Sequence, residues 1–466
     1  MKSFSGGFSV MNKYIHKIQT SRSFLPIVLS FLIFSSCKTQ IPETDLRCPW
    51  FETENDLLVK AEILEQSTLE MVDSGGVLCY KAFLPWNSPF DENQLKSYDM
   101  ADFPAWQGYL LAAFAFKQAV TGESEEDVIS LLLDGFQTSW RITGIDGLLC
   151  RSMIPGYIGD RLDYMDTWFE NPTKYWTQGP TGEWFKCGAA AGHYSGTVFG
   201  LSMLLFLDRD GYISLSDTVR QQAETILVTT VRYVVDNNYT IVDHDGKVTD
   251  YGYLDPSFFN SYFAVAMLNY LKSAGTYDNF CAQTYQQNVD TWTKVAEEYN
   301  RLLGDVMLAV GRWTAERVST SDTLHYACQN FALMLQEEAS PYTERLATAA
   351  DSVWDFFQYE RHPIYTYMML DRIRPEDRDL FMPAIIQDLR DFPIDKKDGR
   401  EEREETPAQV QPLANRYISS FYWKSTCYAR FVEWVEPPDE NAVTYSGGDY
   451  LLAYWMGRYL GLVPER

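Results

Sequence analysis

Positive charge is scarce in this chain: 39 lysines and arginines stand against 64 aspartates and glutamates, a formal net charge of −25. A phosphate backbone needs a basic footprint, so no nucleic-acid partner is expected, and an acidic surface offers anionic lipid headgroups nothing to hold. Histidine is scarcer still, at five in 466 residues. The cysteines at 37, 48, 79, 150, 187, 281, 328 and 427 contain no CxxC and no regular spacing, so no metal and no other cofactor is expected. A glycine-rich phosphate loop, an HExxH helix and a GxSxG elbow are also missing, which removes the sequence support for nucleotide, zinc-protease and serine-hydrolase chemistry. Asp243-His244-Asp245-Gly246 opens like a calcium loop, but no glutamate closes it at the right distance, so it reads as a hairpin turn. Period-two alternation is rare, which argues against a strand-built core.

What is present in quantity is apolar and aromatic side chain, 46% and 15% of residues. That is far more than a disordered chain carries, so a sizeable core can be buried. Length alone does not force a division, because closed helical architectures use this much sequence as one unit.

The N-terminus reads as a leader. Lys13, His16, Lys17 and Arg22 precede the apolar run Phe24–Phe34, followed by Ser35-Ser36-Cys37. The apolar run is roughly ten residues, half of the ~20 that a bilayer-spanning helix needs. Small residues directly before Cys37 resemble the lipobox of bacterial lipoproteins, in which the cysteine is lipidated after cleavage. The resemblance implies a signal peptide over 1–36, a lipidated tether over 37–53 and a folded domain over 54–466, held at the bacterial cell envelope, on the outer membrane or periplasmic face, by a lipid anchor on Cys37. Seven cysteines then remain, an odd number that cannot all pair within the chain, and several are expected to act as small buried hydrophobes.

From residue 54 onward apolar positions recur at three-and-four spacing. The pattern predicts helices over 54–72, 104–120, 124–140, 190–207, 215–237, 256–273, 280–303, 322–337, 341–359, 363–371, 379–389 and 448–460, an all-α domain. Short links such as Thr121-Gly122-Glu123 alternate with long aromatic, acid-rich ones such as 141–189 and 390–447. A ring of helical hairpins produces that alternation, with the long loops gathered on one face to build the site. The charge run 395–405 reads as a solvated loop.

Several segments carry a resemblance. Asp99-Met-Ala-Asp102-Phe-Pro-Ala-Trp106-Gln-Gly108, then Ala119-Val-Thr-Gly122, then Thr143-Gly-Ile-Asp-Gly-Leu-Leu-Cys-Arg151 resemble successive segments of the six-hairpin (α/α)6 toroid, glycosidase-like proteins. Gly192-His-Tyr-Ser-Gly-Thr-Val-Phe-Gly-Leu201 and Gly448-Asp-Tyr-Leu-Leu-Ala-Tyr-Trp-Met-Gly-Arg458 are similar to further inner helices of that fold. The resemblance spans roughly residues 54–460 and implies a toroid whose members include glycoside hydrolases, polysaccharide lyases and proteins without a known reaction. Where such proteins often read Ser-Arg-Asp-Gln-Tyr, this chain reads Ala190-Ala191-Gly192-His193-Tyr194, without the charged pair.

Glycosidic hydrolysis needs two carboxylates across the scissile bond, one protonated and one ionised. Asp102 beside Trp106, Asp163 in the aromatic loop, Asp250 and Asp255 flanking Tyr251-Gly-Tyr253, and Asp449 at the last helix are the candidates. Each could instead cap a helix or solvate a loop, since aspartate favours N-caps. A lyase would need a base such as His193, Tyr194, Tyr251 or His325 with a cation such as Arg151. Trp176 and Trp184, in a loop rich in Gly and Pro, offer ring faces for stacking on sugar. His244 reads as a turn residue, and His362, before Pro363, as the end of a helix. The expectation is a carbohydrate-binding envelope lipoprotein with Asp102, Asp250, His193 and Tyr251 as catalytic candidates. Trp106, Arg151, Asp163, Trp176, Trp184, Tyr194, Asp255 and Asp449 are the candidates for ligand contact. A lyase of the same fold and a non-catalytic glycan-binding or assembly protein remain open alternatives.

The leader makes one prediction. In a bacterial host fed labelled fatty acid, the wild-type chain carries label and partitions with membranes, and Cys37→Ser does neither; label on the serine variant would remove the lipobox reading.

Overall fold

The computed structural model describes residues 56–78, 81–85, 97–99, 102–153, 176–255, 261–310, 320–336, 340–357, 362–369, 378–392, 397–398, 401–402, 432–433 and 441–464. All lie in one unit, Thr53–Arg466. The leader, Cys37 and the tether fall outside the described residues.

Among the described residues the chain is mostly helical, as its periodicity predicts. In chain order the helices are α1 (Leu57–Leu69), α2 (Phe103–Thr121), α3 (Glu126–Thr143), α4 (Ala191–Arg209), α5 (Asp217–Asp236), α6 (Ser261–Gly275), α7 (Asn279–Val310), α8 (Thr320–Gln336), α9 (Pro341–Phe357), α10 (Pro363–Met368), α11 (Arg378–Asp391) and α12 (Gly448–Tyr459). Each falls on a segment with three-and-four spacing. Their starts follow local chemistry: the Asp56 carboxylate accepts from Leu58 and Val59 N–H to cap α1, and the Ser216 hydroxyl accepts from Val219 N–H to cap α5. Two helices stop at glycines in the left-handed region, Gly122 after α2 and Gly144 after α3, where an L side chain would be strained. His362 differs from its expected place: it stands before α10 rather than at a helix end, and its Nδ1 accepts from Ile364 N–H. Pro363 is the reason, since proline suits the first turn of a helix.

The odd- and even-numbered helices differ in surface. Almost every residue of α2, α4 and α12 is buried, as expected of helices apolar all round. Helices α3 and α5 bury one face and present charge on the other. Packing follows the same division. Among even-numbered helices, α2 packs on α4, α4 on α6 and more extensively on α8, α6 on α8, α8 on α10, α10 on α12, and α12 on α2. Each odd-numbered helix packs against one or more of these: α1 on α12, α3 on α2, α5 on α4 and α6, α7 on α6, α9 on α8, α11 on α10 and α12.

Glycine sets the closest of these crossings. Gly192, Gly196 and Gly200 recur every fourth residue and so share one face of α4. A Cβ at Gly196 would collide with the Ala105 backbone, and one at Gly200 with the backbone of Gly108. The contacts climb both helices together, and Thr197 Oγ1 donates to Pro104 O (3.0 Å), so α2 and α4 run parallel with their first turns side by side. Helices α6 and α8 are matched the same way: Asn269 hydrogen-bonds Gln329, and one turn on Ser273 Oγ donates to Gln336 Oε1 (2.9 Å). Gln329 Nε2 also donates to Ser195 O (2.9 Å) and Oγ (2.8 Å), so the buried amides are partnered across three helices.

Among the described residues, short strands, few of them legible in the sequence, occupy the links that lead from an odd- into an even-numbered helix. Strands β1 (Lys81–Pro85) and β2 (Ser97–Asp99) precede α2; β3 (Ser152–Met153), β4 (Trp176–Gln178) and β5 (Trp184–Lys186) precede α4. Strands β6 (Thr240–Val242) and β7 (Val248–Tyr253) precede α6, and β8 (Lys397–Asp398), β9 (Glu401–Glu402), β10 (Val432–Glu433) and β11 (Asn441–Tyr445) precede α12. One antiparallel sheet, ordered β2-β1-β11-β8, ties the link before α2 to the link before α12, with Lys81 opposite Tyr445. The Asp243-His244-Asp245-Gly246 turn joins β6 to β7, the hairpin its composition predicts.

Filling the α2–α4 crossing should be costly. Gly196→Ala and Gly200→Ala each overpack the contact and lower stability by about 1–3 kcal/mol, read as a shift in the denaturant midpoint of the helical circular dichroism signal; an unchanged midpoint would show that the backbones do not touch.

Candidate functional site

The parallel even-numbered helices bring their first turns together, and the densest chemistry of the described residues lies there. Asp102 occupies the N-cap position of α2 yet makes no capping hydrogen bond. Its carboxylate turns to α4 instead, where His193 Nε2 lies 2.7 Å from Oδ1. Ala190 N–H donates into His193 Nδ1 (2.9 Å), so the ring proton that faces Asp102 is the one on Nε2. Arg151, on the stretch between α3 and β3, adds its guanidinium: Nη2 lies 3.5 Å from the same oxygen. Arg151 is held in turn by its backbone N–H, which donates to Lys186 O of β5 (3.0 Å).

His193 is buried, whereas 32% of the Asp102 side chain remains exposed, so the carboxylate has a dry side and an open one. Burial pushes its carboxyl up, but the hydrogen bond from His193 and the charge of Arg151 outweigh burial and hold it at about 2. Asp102 is therefore an ionised acceptor at any physiological pH.

Beneath this pair lies an aromatic stack contributed by three helices. Trp106 of α2 lies parallel to His325 of α8, with ring centroids 5.9 Å apart at 8°, and Tyr262 of α6 is near-parallel to the same imidazole at 5.6 Å and 18°. The Tyr109 hydroxyl and His325 Nδ1 are hydrogen-bonded. On the α4 side His325 lies against Gly192, where a Cβ would come within 2.9 Å of Nε2. Burial pushes the His325 imidazole down to about 3, beyond what the Asp102 charge restores, so it is a neutral wall rather than a cation.

The remaining candidates are distributed around this centre. Tyr194 is fully buried, its hydroxyl donating to Gly147 O (3.0 Å) and accepting from Leu149 N–H (3.2 Å), so it fixes the loop that carries Arg151. Asp449 is fully buried at the start of α12, with Oδ1 accepting from Tyr450 N–H (2.8 Å). Trp176 is buried in β4 and Trp184 half-buried in β5. Asp250 and Tyr251 stand exposed on β7, Tyr251 at 70%, and Asp255 is half-buried just beyond that strand. The described contacts join none of these three to Asp102. Asp163 lies outside the described residues.

Thus Asp102, His193 and Arg151 meet, with Trp106 below them. Tyr109 and Tyr262 were not singled out by sequence: each reads as ordinary helix-face aromatic. Cys150, Cys281 and Cys328 are buried free thiols, matching their expected role as small hydrophobes, whereas Cys187 lies against His244 (Sγ to Nδ1, 3.4 Å). Comparison with protein-family models, with curated proteins and with solved structures returns no match to this chain.

His325 makes stability pH-dependent. An imidazole whose folded pKa is depressed stabilises the fold fully above its unfolded value near 6.5, and that contribution is lost as pH falls from about 6.5 towards 3 at up to about 1.4 kcal/mol per pH unit. Between pH 6.5 and 5, wild type should lose stability more steeply than His325→Asn, which keeps an acceptor for Tyr109 but cannot titrate. Parallel curves in chemical denaturation would show that the imidazole is not buried neutral.

Proposed function

We propose that this chain is a cell-envelope lipoprotein whose helical body is an (α/α)6 toroid that binds and cleaves a carbohydrate at the mouth where the inner helices begin, in the manner of a glycoside hydrolase. The even-numbered helices serve as the inner ring and the odd-numbered ones as the outer. The cyclic order of packing among even-numbered helices supports the toroid. So does the placing of the described strands, and of the longest links, on odd-to-even connections, which gathers loops around one mouth.

The observation that carries the functional reading is Asp102, an N-cap aspartate released from capping and held ionised by His193 and Arg151 with an open side. A sugar hydroxyl offers the donor such a carboxylate accepts. In hydrolysis Asp102 takes the role of the ionised member of the carboxylate pair, activating water or attacking the anomeric carbon; at about 2 its carboxyl is far too acidic to be the proton donor. The proton donor is then to be sought among the other candidate acids, of which Asp250 stands exposed on β7 and Asp163 lies outside the described residues.

Elimination is the weaker enzymatic reading. His193 receives a backbone donor on Nδ1 and directs Nε2–H at Asp102, so neither ring nitrogen is open to a substrate proton. His325 and Tyr194 are buried and engaged. Glycan capture without cleavage is the second reading; the absence of the charged pair at Ala191-Gly192 favours it.

The test is a panel of host, plant and bacterial glycans, followed by reducing-end release, unsaturated-uronate absorbance and calorimetric binding. Reducing ends should appear with wild type and vanish with Asp102→Asn, whose glycan affinity falls about 10- to 100-fold for loss of one charge-assisted hydrogen bond, with circular dichroism unchanged. Binding without turnover would leave the capture reading, uronate absorbance would replace hydrolysis with elimination, and no glycan bound at all would overturn the carbohydrate assignment.

A further inference from the structure

A second cluster stands apart from Asp102. Cys187 follows β5 directly, and Asp243 and His244 lie in the β6–β7 turn. The two segments meet because Gly188, at φ +80°, turns the chain out of β5 and its N–H donates to Asp243 Oδ2 (2.6 Å). That hydrogen bond also aims the other carboxylate oxygen inward: Asp243 Oδ1 lies 3.1 Å from His244 Nδ1, and Cys187 Sγ lies 3.4 Å from that same nitrogen. All three donor atoms fall within 4.8 Å of one another. The Phe185 ring packs edge-on against the imidazole at 5.6 Å and restrains it.

A thiol, an imidazole and a carboxylate can form a nucleophilic relay, but then the acid and the thiol must occupy different ring nitrogens. Here both converge on Nδ1, leaving no nitrogen to pass a proton between them. The thiol is also not activated: burial and the neighbouring Asp243 and Asp245 charges push it up to about 12. A thiol, an imidazole and a carboxylate gathered on one side without a proton relay form a ligand set rather than a nucleophile.

We propose that Cys187, Asp243 and His244 bind one divalent ion of the zinc class. With bond lengths of ~2.3 Å to sulfur and ~2.0–2.1 Å to nitrogen and oxygen, tetrahedral coordination separates sulfur from nitrogen by about 3.5 Å and nitrogen from oxygen by about 3.3 Å. The observed 3.4 and 3.1 Å match both edges. On binding, the metal–sulfur bond replaces the S–H bond and the thiol proton leaves to solvent, so thiolate and carboxylate balance the ion's two charges. The Gly188 amide holds the carboxylate in orientation from outside the ligand set. Three protein ligands leave a fourth position open, and two of them, Asp243 and His244, also line a cavity of about 610 Å³. Such an ion would pin the link that leads from β5 into α4 to the β6–β7 hairpin, coupling metal occupancy to the stability of this region.

The probe is cobalt(II), titrated into the purified, reduced, metal-stripped chain. One equivalent should bind with a thiolate-to-cobalt charge-transfer band and tetrahedral visible bands, zinc should displace it, and zinc should raise the unfolding midpoint. Cys187→Ala should lose the charge-transfer band, and His244→Ala, on an exposed turn where folding is not at stake, should bind at least ten-fold more weakly. No charge-transfer band with wild type, a band that persists in Cys187→Ala, or unchanged affinity in His244→Ala would each overturn the assignment.

Discussion

Two helices can approach until their backbones touch only where no Cβ stands between them, and the α2–α4 crossing meets that condition through Gly108, Gly196 and Gly200. Asp102 and His193 are 91 residues apart in sequence, yet the crossing sets them 2.7 Å apart. The same stripe of small residues begins at Gly192, which lets His325 of α8 lie directly against the α4 backbone. Trp106 and Tyr262 then stack on that imidazole from α2 and α6. The placement of one acid and the filling of the space between four helices thus depend on the absence of a few methyl groups.

Electrostatics divides the two histidines of this region into different tasks. His193 sits where a backbone N–H fills one nitrogen, so its remaining proton can only serve the Asp102 carboxylate. His325, buried with Trp106 and Tyr262 near-parallel to its ring, stays uncharged and supplies shape. The ionised Asp102 carboxylate thus neighbours a buried, uncharged set of rings, with the Arg151 guanidinium beside it. At the Cys187 cluster a thiol and a carboxylate instead converge on one imidazole nitrogen.

Helix positions were legible in the sequence because three-and-four spacing survives in every segment, even in α2 and α4, where burial on all sides blurs amphipathicity. The strands were mostly not: several are two or three residues long, too short for alternation to register, and their pairing partners lie in distant links, as with Lys81 and Tyr445. The Asp243–Gly246 turn was readable as a hairpin from composition, but nothing in its spacing marks Cys187 as a neighbour. Asp102 could be singled out by its aromatic surroundings, although as an N-cap aspartate it could equally have been spent on the helix; its freedom from that duty is a matter of side-chain direction.

By itself the sequence determined the mostly helical class, the order and approximate positions of the helices, and a short list of acids, histidines and aromatics, because these follow from local periodicity, capping chemistry and turn residues. Only the tertiary structure decided which of them meet. Asp102 found His193 and Arg151, Tyr194 became a loop brace, His325 became a neutral wall, and Cys187 reached His244. Those outcomes depend on the crossing of parallel helices and the packing of links at their first turns, and contacts between residues many tens of positions apart leave no local trace in composition or period.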